Sequence, residues 1–444
     1  MFFCDIIKKV VFGRHNYGKN GEHRRMKRRE NPNADQNEND NVVYVDGPEE
    51  AKKNNEEIKK RLAKQKKMLI IFAMLFVAAA FGLFYYLSNR TYLGYKVLAD
   101  NEASYENTAQ YTEFCGNLLK YTPDGVSYIN SNGDTVWTAG IDMKLPIAAT
   151  CGNYAIVADL NGNAVSIFSN EGQESALTMP YTICDVDVAG QGAFIVILES
   201  DKTNYTNLYD KTGKIVYEIQ TTINKSGYPL DVSLSDDGRK LFSSYVKVGG
   251  TTVQNQLVAH NFGDVGQNAN ADRVVGGYTY DDQVVAKVEF INNDTVVAFG
   301  TKQINIFSMK EKPSEKGKIT FSDEIRSIFY SEEYIGVVLD GVDEDSKYRM
   351  QVYDTDGDRK FHESIEFEYD NIYCTNDEII VTGGNNCKIF RANGTTKFSA
   401  ELSDRIMSVI PNGRYHEYIV VYNNRTETIK IKLDKNESLD VTEE

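Results

Sequence analysis

The sequence predicts an all-β protein, an eight-bladed β-propeller, that follows a single transmembrane helix and an N-terminal tail. Three observations lead to this prediction. An uncharged apolar segment of 20 residues lies at 68–87. After it, a strand–turn–strand unit returns about every 40 residues, which is the repeat length of four-stranded propeller blades. No stretch after residue 90 sustains the apolar spacing of an amphipathic helix.

The segment 68–87 has the length and composition of a membrane span. A helix rises about 1.5 Å per residue, so such a segment covers roughly 30 Å, the thickness of the hydrocarbon core. A helix also satisfies its own backbone hydrogen bonds in lipid. A cleaved signal peptide, with Ala78-Ala79-Ala80 as its small-residue site, is disfavoured because the apolar run and the region before it are too long.

The charges on either side of this segment predict its orientation. The basic residues before it are Lys59, Lys60, Arg61, Lys64, Lys66 and Lys67, whereas Arg90 and Lys96 are the first ones after it. Positively charged flanks stay in the cytoplasm. We therefore expect a single-pass protein of the cell membrane with a cytoplasmic N-terminus and an extracytoplasmic C-terminal domain.

The distribution of charge limits the partners. Residues 1–67 carry 17 Lys and Arg against 11 Asp and Glu, whereas the rest of the chain carries 32 against 53, a net charge of −21. Such an acidic domain argues against nucleic acid or anionic lipid as its general partner. Simple solubility is the preferred explanation of the charge.

Residues 1–47 are interpreted as a disordered cytoplasmic tail, because the stretch 30–41 is polar and has too few apolar residues to bury. The basic cluster 23–29 is interpreted as topogenic charge, and Met26 stays open as an alternative start. Residues 48–67 predict a basic juxtamembrane helix, because Glu and Lys or Arg recur four residues apart.

The repeat after the apolar segment combines an apolar strand, a polar turn with glycine and another strand. Its clearest copies are SYINSNGDTVW (127–137), SIFSNEGQES (166–175), NLYDKTGKIVY (207–217), QVYDTDGDRKF (351–361) and KIFRANGTTKF (388–398). The turn glycines are Gly133, Gly172, Gly213, Gly357 and Gly394. Glycine supplies the positive φ that a tight hairpin turn requires.

A second recurrent strand is apolar without alternation. It occurs at 154–158, 194–198, 295–299, 334–339, 378–382 and 418–422. Such runs are typical of strands buried on both faces.

Together these units predict a propeller domain over residues 92–433. The blades are expected near 111–141, 146–180, 183–221, 230–278, 286–322, 325–367, 370–402 and 406–433. The last blade shows only three strands, so we expect residues 95–98 to supply its outer strand and close the ring. A seven-bladed ring is the alternative. Residues 434–444 are interpreted as a disordered tail.

The cysteines predict no metal site and no structural disulfide. We expect Cys115, Cys151, Cys184 and Cys374 on the first strands of their blades, where a free thiol acts as a small apolar group. Cys387 is expected on a third strand, too far from Cys374 for a bridge. No Cys and His set has the spacing of zinc ligands.

Two acidic stretches, of which the first resembles a calcium loop, are interpreted as a turn and a loop without a metal. Asp354, Asp356 and Asp358 form DTDGD, in which glycine is the fourth residue rather than the sixth that an EF-hand requires. The same place in the sister repeats is a hairpin turn. The stretch 340–345 (DGVDED) is interpreted as the loop.

The sequence predicts no catalytic, cofactor-binding or metal-binding residue. His260, His362 and His416 are scattered over the domain, and the motifs of hydrolases, metalloproteases and phosphate loops do not occur. The 28 tyrosines are interpreted as sheet-packing residues rather than a carbohydrate platform.

The segments GNLLKYTPDGVSYINSNGDTVW (116–137) and PIAATCGNYAIVADLNGNAVSIF (146–168) resemble an uncharacterised family of bacterial single-pass membrane proteins with an extracytoplasmic propeller. The resemblance covers about residues 92–433 and implies fold and topology, but no activity. The blades are also distantly similar to quinoprotein-type and outer-membrane assembly propellers. The quinoprotein tryptophan motif is absent, since Trp137 is the one tryptophan, so no quinone cofactor is expected.

These observations favour a non-enzymatic scaffold, anchored in the membrane, that binds a protein partner at the cell envelope. Propellers bind partners through the loops on a face of the disc. The alternative is a propeller that binds, or hydrolyses, a small ligand or glycan at its central channel. A convergent set of charged or aromatic side chains at one mouth of the channel would favour this alternative over the scaffold.

Overall fold

The computed structural model of the protein describes residues 48–102, 108–249, 252–281, 283–343 and 346–434. The chain divides into two compact units, Met1–Ala79 and Ala80–Glu444. The tails predicted to be disordered lie outside the described residues, apart from Asp434, so those two predictions remain predictions.

One long helix, α1 (Pro48–Ser88), spans 41 residues without a break. It includes the whole apolar segment, and it is the one helix of the described residues that is long and apolar enough to cross a membrane. Its apolar side chains are exposed, for example 71% for Leu69 and 75% for Phe76. The helix therefore does not have the burial of a soluble core helix.

The rest of the described chain forms eight four-stranded antiparallel sheets, which are the eight blades of a propeller. Blade 1 consists of β2 (Gln110–Phe114), β3 (Asn117–Tyr121), β4 (Gly125–Ile129) and β5 (Thr135–Gly140), and blade 2 consists of β6 (Pro146–Cys151), β7 (Tyr154–Asp159), β8 (Ala164–Ser169) and β9 (Gly172–Thr178). Blade 3 consists of β10 (Thr182–Val188), β11 (Phe194–Glu199), β12 (Asn204–Tyr209) and β13 (Ile215–Thr221), and blade 4 consists of β14 (Tyr228–Leu234), β15 (Lys240–Gly249), β16 (Thr252–Asn261) and β17 (Val274–Tyr280).

Blades 5 to 8 complete the ring. Their strands are β18 (Val285–Asn292), β19 (Thr295–Gly300), β20 (Gln303–Ser308) and β21 (Ser314–Thr320); β22 (Ser327–Tyr330), β23 (Tyr334–Asp343), β24 (Ser346–Asp354) and β25 (Arg359–Ile365); β26 (Asn371–Cys374), β27 (Glu378–Gly383), β28 (Asn386–Arg391) and β29 (Thr396–Glu401); β30 (Ile406–Pro411), β31 (Glu417–Tyr422), β32 (Arg425–Lys432) and β1 (Gly94–Glu102). The prediction of eight blades is confirmed, and the seven-bladed alternative is wrong.

The ring closes as the sequence predicts. Strand β1 pairs antiparallel with β32, from Gly94 opposite Lys432 to Glu102 opposite Arg425, and becomes the outer strand of blade 8. Leu118 of blade 1 packs against Ile410 of blade 8. The first and last parts of the domain therefore pair and pack with each other, so the ring of eight sheets is closed.

Each of the eight interfaces between blades contains one cluster of buried apolar side chains. The second strands supply both sides of this core. In β7, Ala155 and Val157 face blade 1, whereas Ile156 and Ala158 face blade 3. The prediction that these apolar runs are strands buried on both faces is confirmed.

The hairpin turns also follow the prediction. All five predicted turn glycines have positive φ, between 85° and 138°. In the turn between β24 and β25, Gly357 has a φ of 90°, and its amide donates to the Asp354 carbonyl (3.0 Å). A residue with a Cβ would be strained in this conformation.

Three features depart from the regular repeat. Two short helices, α2 (Ile223–Ser226) and α3 (Asp264–Ala269), lie in the connections next to β13 and β16, where no helix was predicted. The hairpins β15–β16 and β23–β24 are longer than the second and third strands of the other blades. Cys115 was expected on a first strand, but it lies in the turn after β2 with a φ of 51°.

Because strands alternate in direction, the turns of each blade lie on two opposite faces of the disc. The near face carries the turns from first to second and from third to fourth strands, and β1 begins there beside the end of β32. The far face carries the hairpins from second to third strands and the connections between blades. The two long hairpins therefore project from the far face.

Candidate functional site: the central channel

The first strands of the blades surround the central channel, and neighbouring first strands contact each other. A first strand has a strand partner on one edge only, so the backbone amides of its other edge need different acceptors. Polar side chains of blades 3 and 4 supply such acceptors to the first strands of blades 4 and 5.

Strand β14 places two polar side chains against β18. The Val288 amide donates to Asp231 Oδ2 (2.7 Å), and the Phe290 amide donates to Ser233 Oγ (2.9 Å). The two acceptors are two residues apart, as are the two donors, which is the spacing of side chains on one face of a strand. These bonds tie blade 4 to blade 5.

Asp187 on β10 makes the corresponding bond from blade 3 to blade 4. Its Oδ2 accepts from the Leu234 amide (2.7 Å) and from Ser233 Oγ (3.3 Å), and its Oδ1 accepts from the Val188 amide (2.8 Å). We call Asp187, Asp231 and Ser233 the channel clasp. The clasp satisfies backbone that would otherwise be unpaired.

Lys287 is the cation of this cluster. Its Nζ lies 3.1 Å from Glu289 Oε2 and 3.4 Å from Asp231 Oδ1. The side chain is 36% exposed although it points into the ring, because it borders the open space of the channel. Burial alone would lower the pKa of Lys287, but Glu289 and Asp231 raise it well above its usual value, so the amine stays charged.

For the carboxyl groups of Asp185, Asp187 and Asp231, burial favours the neutral form. Burial raises the pKa of Asp187 to about 7, with the nearby charge of Glu289 as the second cause. Burial also raises the pKa values of Asp185 and Asp231. Asp185 Oδ2 is buried and has no hydrogen-bond partner. Like charges this close cannot all ionise, so the cluster retains protons near neutral pH.

The cluster borders a cavity of about 500 Å³. One wall is charged, from Asp185, Asp187, Lys287 and Glu289, together with Tyr330. The apolar part of the lining includes Ile147, Ala148 and Ala149 of β6. Such a cavity fits a small ligand with one cationic end and one apolar end.

The one thiol among the residues that line the cavity, that of Cys184, is not activated. Burial raises the pKa of Cys184, whose Sγ contacts Glu199 Oε2 at 3.6 Å, so the thiol stays protonated. In the described part of the chain, no three His, Cys, Asp or Glu residues are placed to hold a metal ion together.

The other cysteines are structural in character. Cys151 and Cys374 lie on first strands and Cys387 on a third strand, as predicted. All five cysteines of the described residues are free thiols. Burial raises the pKa values of Cys151, Cys374 and Cys387 to about 12.

The acidic stretch at Asp354 forms the predicted turn. Asp354 Oδ1 accepts from the amides of Asp356 (3.0 Å) and Asp358 (2.9 Å), so this oxygen is committed to the backbone. The interpretation of the second acidic stretch as a loop is wrong for residues 340–343, which belong to strand β23 because the β23–β24 hairpin is extended. Asp340 forms an ion pair with Arg326. Residues 344–345 of that stretch lie outside the described chain.

The three histidines of the domain stay apart. His260 lies on β16 of blade 4, His362 on β25 of blade 6, and His416 in the turn before β31 of blade 8. Burial lowers the pKa of His260 to about 4, so its imidazole is neutral at physiological pH. None of the three lines the channel cavity.

The single tryptophan packs between two blades. The Trp137 ring stacks on Tyr128 (centroids 5.6 Å apart) and on Phe168 (5.5 Å), and its Nε1 donates to the Asn170 carbonyl (3.1 Å). This tryptophan supports the interface of blades 1 and 2 rather than a cofactor.

The sequence matches the family of unknown function DUF5711 over residues 88–431, which is most of the chain and all of the ring. The chain belongs to this family. No curated protein matches the sequence. The match confirms the predicted resemblance to an uncharacterised family.

Several solved structures are similar to this chain at low sequence identity. Sqt1 from Chaetomium thermophilum is 12% identical, with a TM-score of 0.49 over 76% of this chain and 99% of that chain. Apo AztD from Citrobacter koseri is 11% identical, with a TM-score of 0.47 over 67% and 86%. The Pan2 WD40 domain of Neurospora crassa is 10% identical, with a TM-score of 0.39 over 66% and 89%.

The channel cluster of this DUF5711 protein was missed at the level of sequence, although a signal for it exists. Charged residues alternate with valine on two first strands, in 185–188 (DVDV) and 287–290 (KVEF), and 231–234 (DVSL) repeats the pattern with a serine. A strand that faces the channel on one side and a blade on the other produces this alternation.

Proposed function

We propose that this DUF5711 protein is a single-pass membrane protein whose propeller lies outside the cytoplasm and serves as a non-enzymatic scaffold for a protein partner at the cell envelope. The exposed apolar side chains of α1 and the basic flank before its apolar part support the anchor and its orientation. The cytoplasmic tail is then available to an inner partner.

The observation that carries the proposal is the position of the two long hairpins. Helix α1 ends at Ser88 and β1 begins at Gly94 on the near face. Six residues span at most about 20 Å, so the near face stays close to the membrane surface. The far face is then directed outward, and the tip of β15–β16 exposes Val248 (71%) and Val253 (44%) there.

The topology is tested by labelling intact cells with a membrane-impermeant maleimide. We expect Val248→Cys to react at once and Lys53→Cys to react only after the cells are permeabilised, with the unsubstituted protein as background. Equal protection of both cysteines, or labelling of Lys53→Cys in intact cells, would overturn the proposed orientation.

The scaffold role is tested by site-specific photo-crosslinking in cells. A crosslinker at Val248 on the far face is compared with one at Val216, which is also exposed (58%) but lies on the outer strand of blade 3. A discrete protein adduct from Val248 alone supports the proposal. Adducts from neither position, or the same adducts from both, contradict a partner site on the far face.

The channel supports a second candidate function, the binding of a small ligand with a cationic group. The specific observation is the cavity, whose lining has a charged part and an apolar part. A thermal-shift screen of full-length protein with polyamines, organic amines, metal ions and glycans tests it. A stabilisation by one class that Glu289→Gln removes favours this candidate, whereas stabilisation that the variant retains excludes the channel as the site.

A further inference from the structure

A second cavity, of about 680 Å³, lies between blades 3 and 4 and away from the central channel. Its lining comes from β13, the outer strand of blade 3, from the short helix α2, and from β15, β16 and β17 of blade 4. We call it the interblade cavity. It shares no lining residue with the channel cavity. Its volume lies within the range of about 300–1,000 Å³ that is typical of small-molecule sites.

His260 on β16 occupies a position that the other blades fill with an apolar or aromatic side chain. In blades 1 to 7 the pairing of the third strand with the fourth shifts register once, and the third-strand residue after the shift is buried against the preceding blade. In blade 4 this residue is His260. In the other six blades it is Ile129, Phe168, Tyr209, Phe307, Tyr353 or Phe390.

The imidazole of His260 is buried and incompletely hydrogen-bonded. The residue is 3% exposed, and its Nδ1 is buried without a hydrogen-bond partner. Because burial lowers its pKa to about 4, the ring is neutral and offers one donor and one acceptor. Buried polar atoms of folded proteins are nearly always paired, and His260 lines the interblade cavity. The unpaired nitrogen therefore points to a polar group that binds in this cavity.

A second polar replacement lies on the neighbouring strand. Ser243 on β15 is buried and comes two positions after Leu241, the residue that pairs with His260. The equivalent residues of blades 2, 3, 5, 6 and 7 are Val157, Val196, Ala298, Val337 and Val381. The Tyr245 hydroxyl lies beside the hydroxyls of Ser243 and Thr206, and Tyr245 lines the cavity. Blade 4 thus presents hydroxyls and an imidazole where its sister blades present apolar groups.

The buried part of the cavity lining carries no charge. Its polar side chains are those of Thr221, Tyr245 and His260. The charged lining residues are Glu218, Lys225 and Asp272, and all three are exposed. A charged ligand would find no opposite charge in the buried part, and desolvation of its charge there would be unfavourable.

The hydrogen-bonding groups of the lining are of mixed character. A hydroxyl group, a neutral imidazole and the exposed amide of Gln256 can each donate and accept. An alcohol group also donates and accepts, so it can pair with any of them, whereas a carboxylate only accepts and an ammonium group only donates. Ile219 and Val258 supply apolar contacts for a carbon skeleton.

We propose that the interblade cavity binds a small, uncharged, hydroxyl-rich molecule, a sugar or another polyol, with His260, Tyr245 and Gln256 as its hydrogen-bond partners. Gln256 and His260 lie on one face of β16, four positions apart, so the site extends roughly 13 Å along this strand. It is separate from the channel, and it depends neither on the membrane anchor nor on the scaffold role proposed above.

The test uses full-length protein in a detergent without a sugar headgroup, which would otherwise compete. Isothermal titration calorimetry compares glucose, N-acetylglucosamine and myo-inositol with two charged compounds, glucosamine and glucose 6-phosphate. We expect at least one of the three neutral compounds to bind with a Kd at or below about 1 mM, and both charged compounds to bind at least tenfold more weakly. No binding of any neutral compound at tens of millimolar, or tighter binding of a charged one, would overturn the proposal.

His260→Phe assigns the binding to the cavity. It introduces the ring that blades 2, 5 and 7 carry at this position, so the fold should be retained. We expect the affinity for the neutral compound to fall at least tenfold while the urea midpoint is unchanged or higher. His362→Phe is the matched control, since His362 is exposed on β25 of blade 6. Unchanged affinity in His260→Phe, or an equal loss in the control, would overturn the proposed site.

Gln256→Ala tests the same site without a change in the core, because Gln256 is exposed. This variant should weaken binding several-fold and leave the urea midpoint unchanged, and full affinity in both Gln256→Ala and His260→Phe would refute the cavity as the site.

Glu289→Gln separates the interblade cavity from the channel. We expect it to retain full affinity for the neutral compound, since Glu289 lines only the channel cavity of the two. Binding that Glu289→Gln abolishes and His260→Phe retains would place the sugar in the channel and overturn the proposal.

Discussion

At the residue scale, the carboxylates of the channel accept hydrogen bonds from backbone amides that no strand pairs. Asp231 is 7% exposed and connects the Val288 amide and the Lys287 amine. Removing a buried acceptor of this kind leaves both donors without a full set of partners. The clasp is therefore expected to matter for stability independently of any ligand.

We predict that Asp231→Ala lowers the free energy of unfolding by about 2–4 kcal/mol, because a buried amide and part of a buried charge lose their acceptor. Urea unfolding of the full-length protein measures this change. Glu174→Ala is the control, since Glu174 is exposed on the outer strand of blade 2, and it should change the value by less than about 0.5 kcal/mol. Equal effects of the two substitutions would contradict a structural role of the clasp.

A second prediction concerns pH. The folded-state pKa of Asp187 is about 7, because burial and Glu289 disfavour its charged form, against about 3.9 in an unfolded chain. Between these values the folded state holds a proton that the unfolded state has lost. The stabilising contribution of this group is thus complete below about pH 4 and declines as the pH rises toward 7.

The variant Asp187→Asn cannot titrate, so it isolates this contribution. We expect the unfolding free energy of the wild type minus that of Asp187→Asn to decrease as the pH rises from about 5 to about 8. Urea titrations at several pH values measure the difference. A difference that rises with pH would mean that the pKa of Asp187 is lowered in the folded protein.

The channel cluster shows what sequence patterns leave undetermined at this scale. Each charged residue could be assigned to a first strand, but the clasp joins strands from three blades. Which Asp faces which amide depends on the stagger between neighbouring first strands, and that stagger is set by packing between blades rather than by any local pattern. Asp187 and Leu234, for example, are 47 positions apart.

At the element scale, the hairpin turn is the unit that made the fold predictable. Its strand pairs are local, and its glycines are required by backbone conformation. The same reasoning did not predict the elements that depart from the repeat, such as α3 and the long β15–β16 hairpin. Helix α3 is only six residues long, and the tip of β15–β16 extends past its neighbouring strands, so neither produces a pattern of sufficient length.

The turn glycines give a third prediction. Gly357→Ala should lower the unfolding free energy by about 1 kcal/mol, because its φ of 90° is strained for a residue with a Cβ. A steric clash does not contribute, since the added Cβ would meet Ile306 Cδ1 at an ordinary contact distance of 3.5 Å. Gly140→Ala is the control, since Gly140 has no positive φ and its Cβ would meet nothing within 4 Å. Urea midpoints of the two variants measure the difference, and a loss in Gly140→Ala as large as in Gly357→Ala would contradict the strain argument.

At the scale of the whole molecule, one pairing between distant parts of the chain closes the ring. Strand β1 pairs with β32, and Gly94 lies opposite Lys432. Bringing ends this far apart in sequence together costs chain entropy, which the β1–β32 pairing and the packing of blade 8 against blade 1 must offset. Closure of the ring therefore depends on β1, the strand in the segment that follows α1.

We predict that Lys96→Pro combined with Val97→Pro opens the ring. Successive amides of a strand point to opposite sides, so one of the two prolines must remove a donor that faces β32, at a cost of about 1–3 kcal/mol. The control combines Glu174→Pro with Ser175→Pro in β9, the outer strand of blade 2, whose pairing with β8 is held by a local turn. The β1 variant should show a larger fall in urea midpoint and new protease cleavage between blades 8 and 1, because the remaining blades lose their closure. Similar urea midpoints and cleavage patterns in the two variants would contradict this prediction. They would mean that apolar packing of blade 8 against blade 1 keeps the ring closed even when β1 no longer pairs with β32.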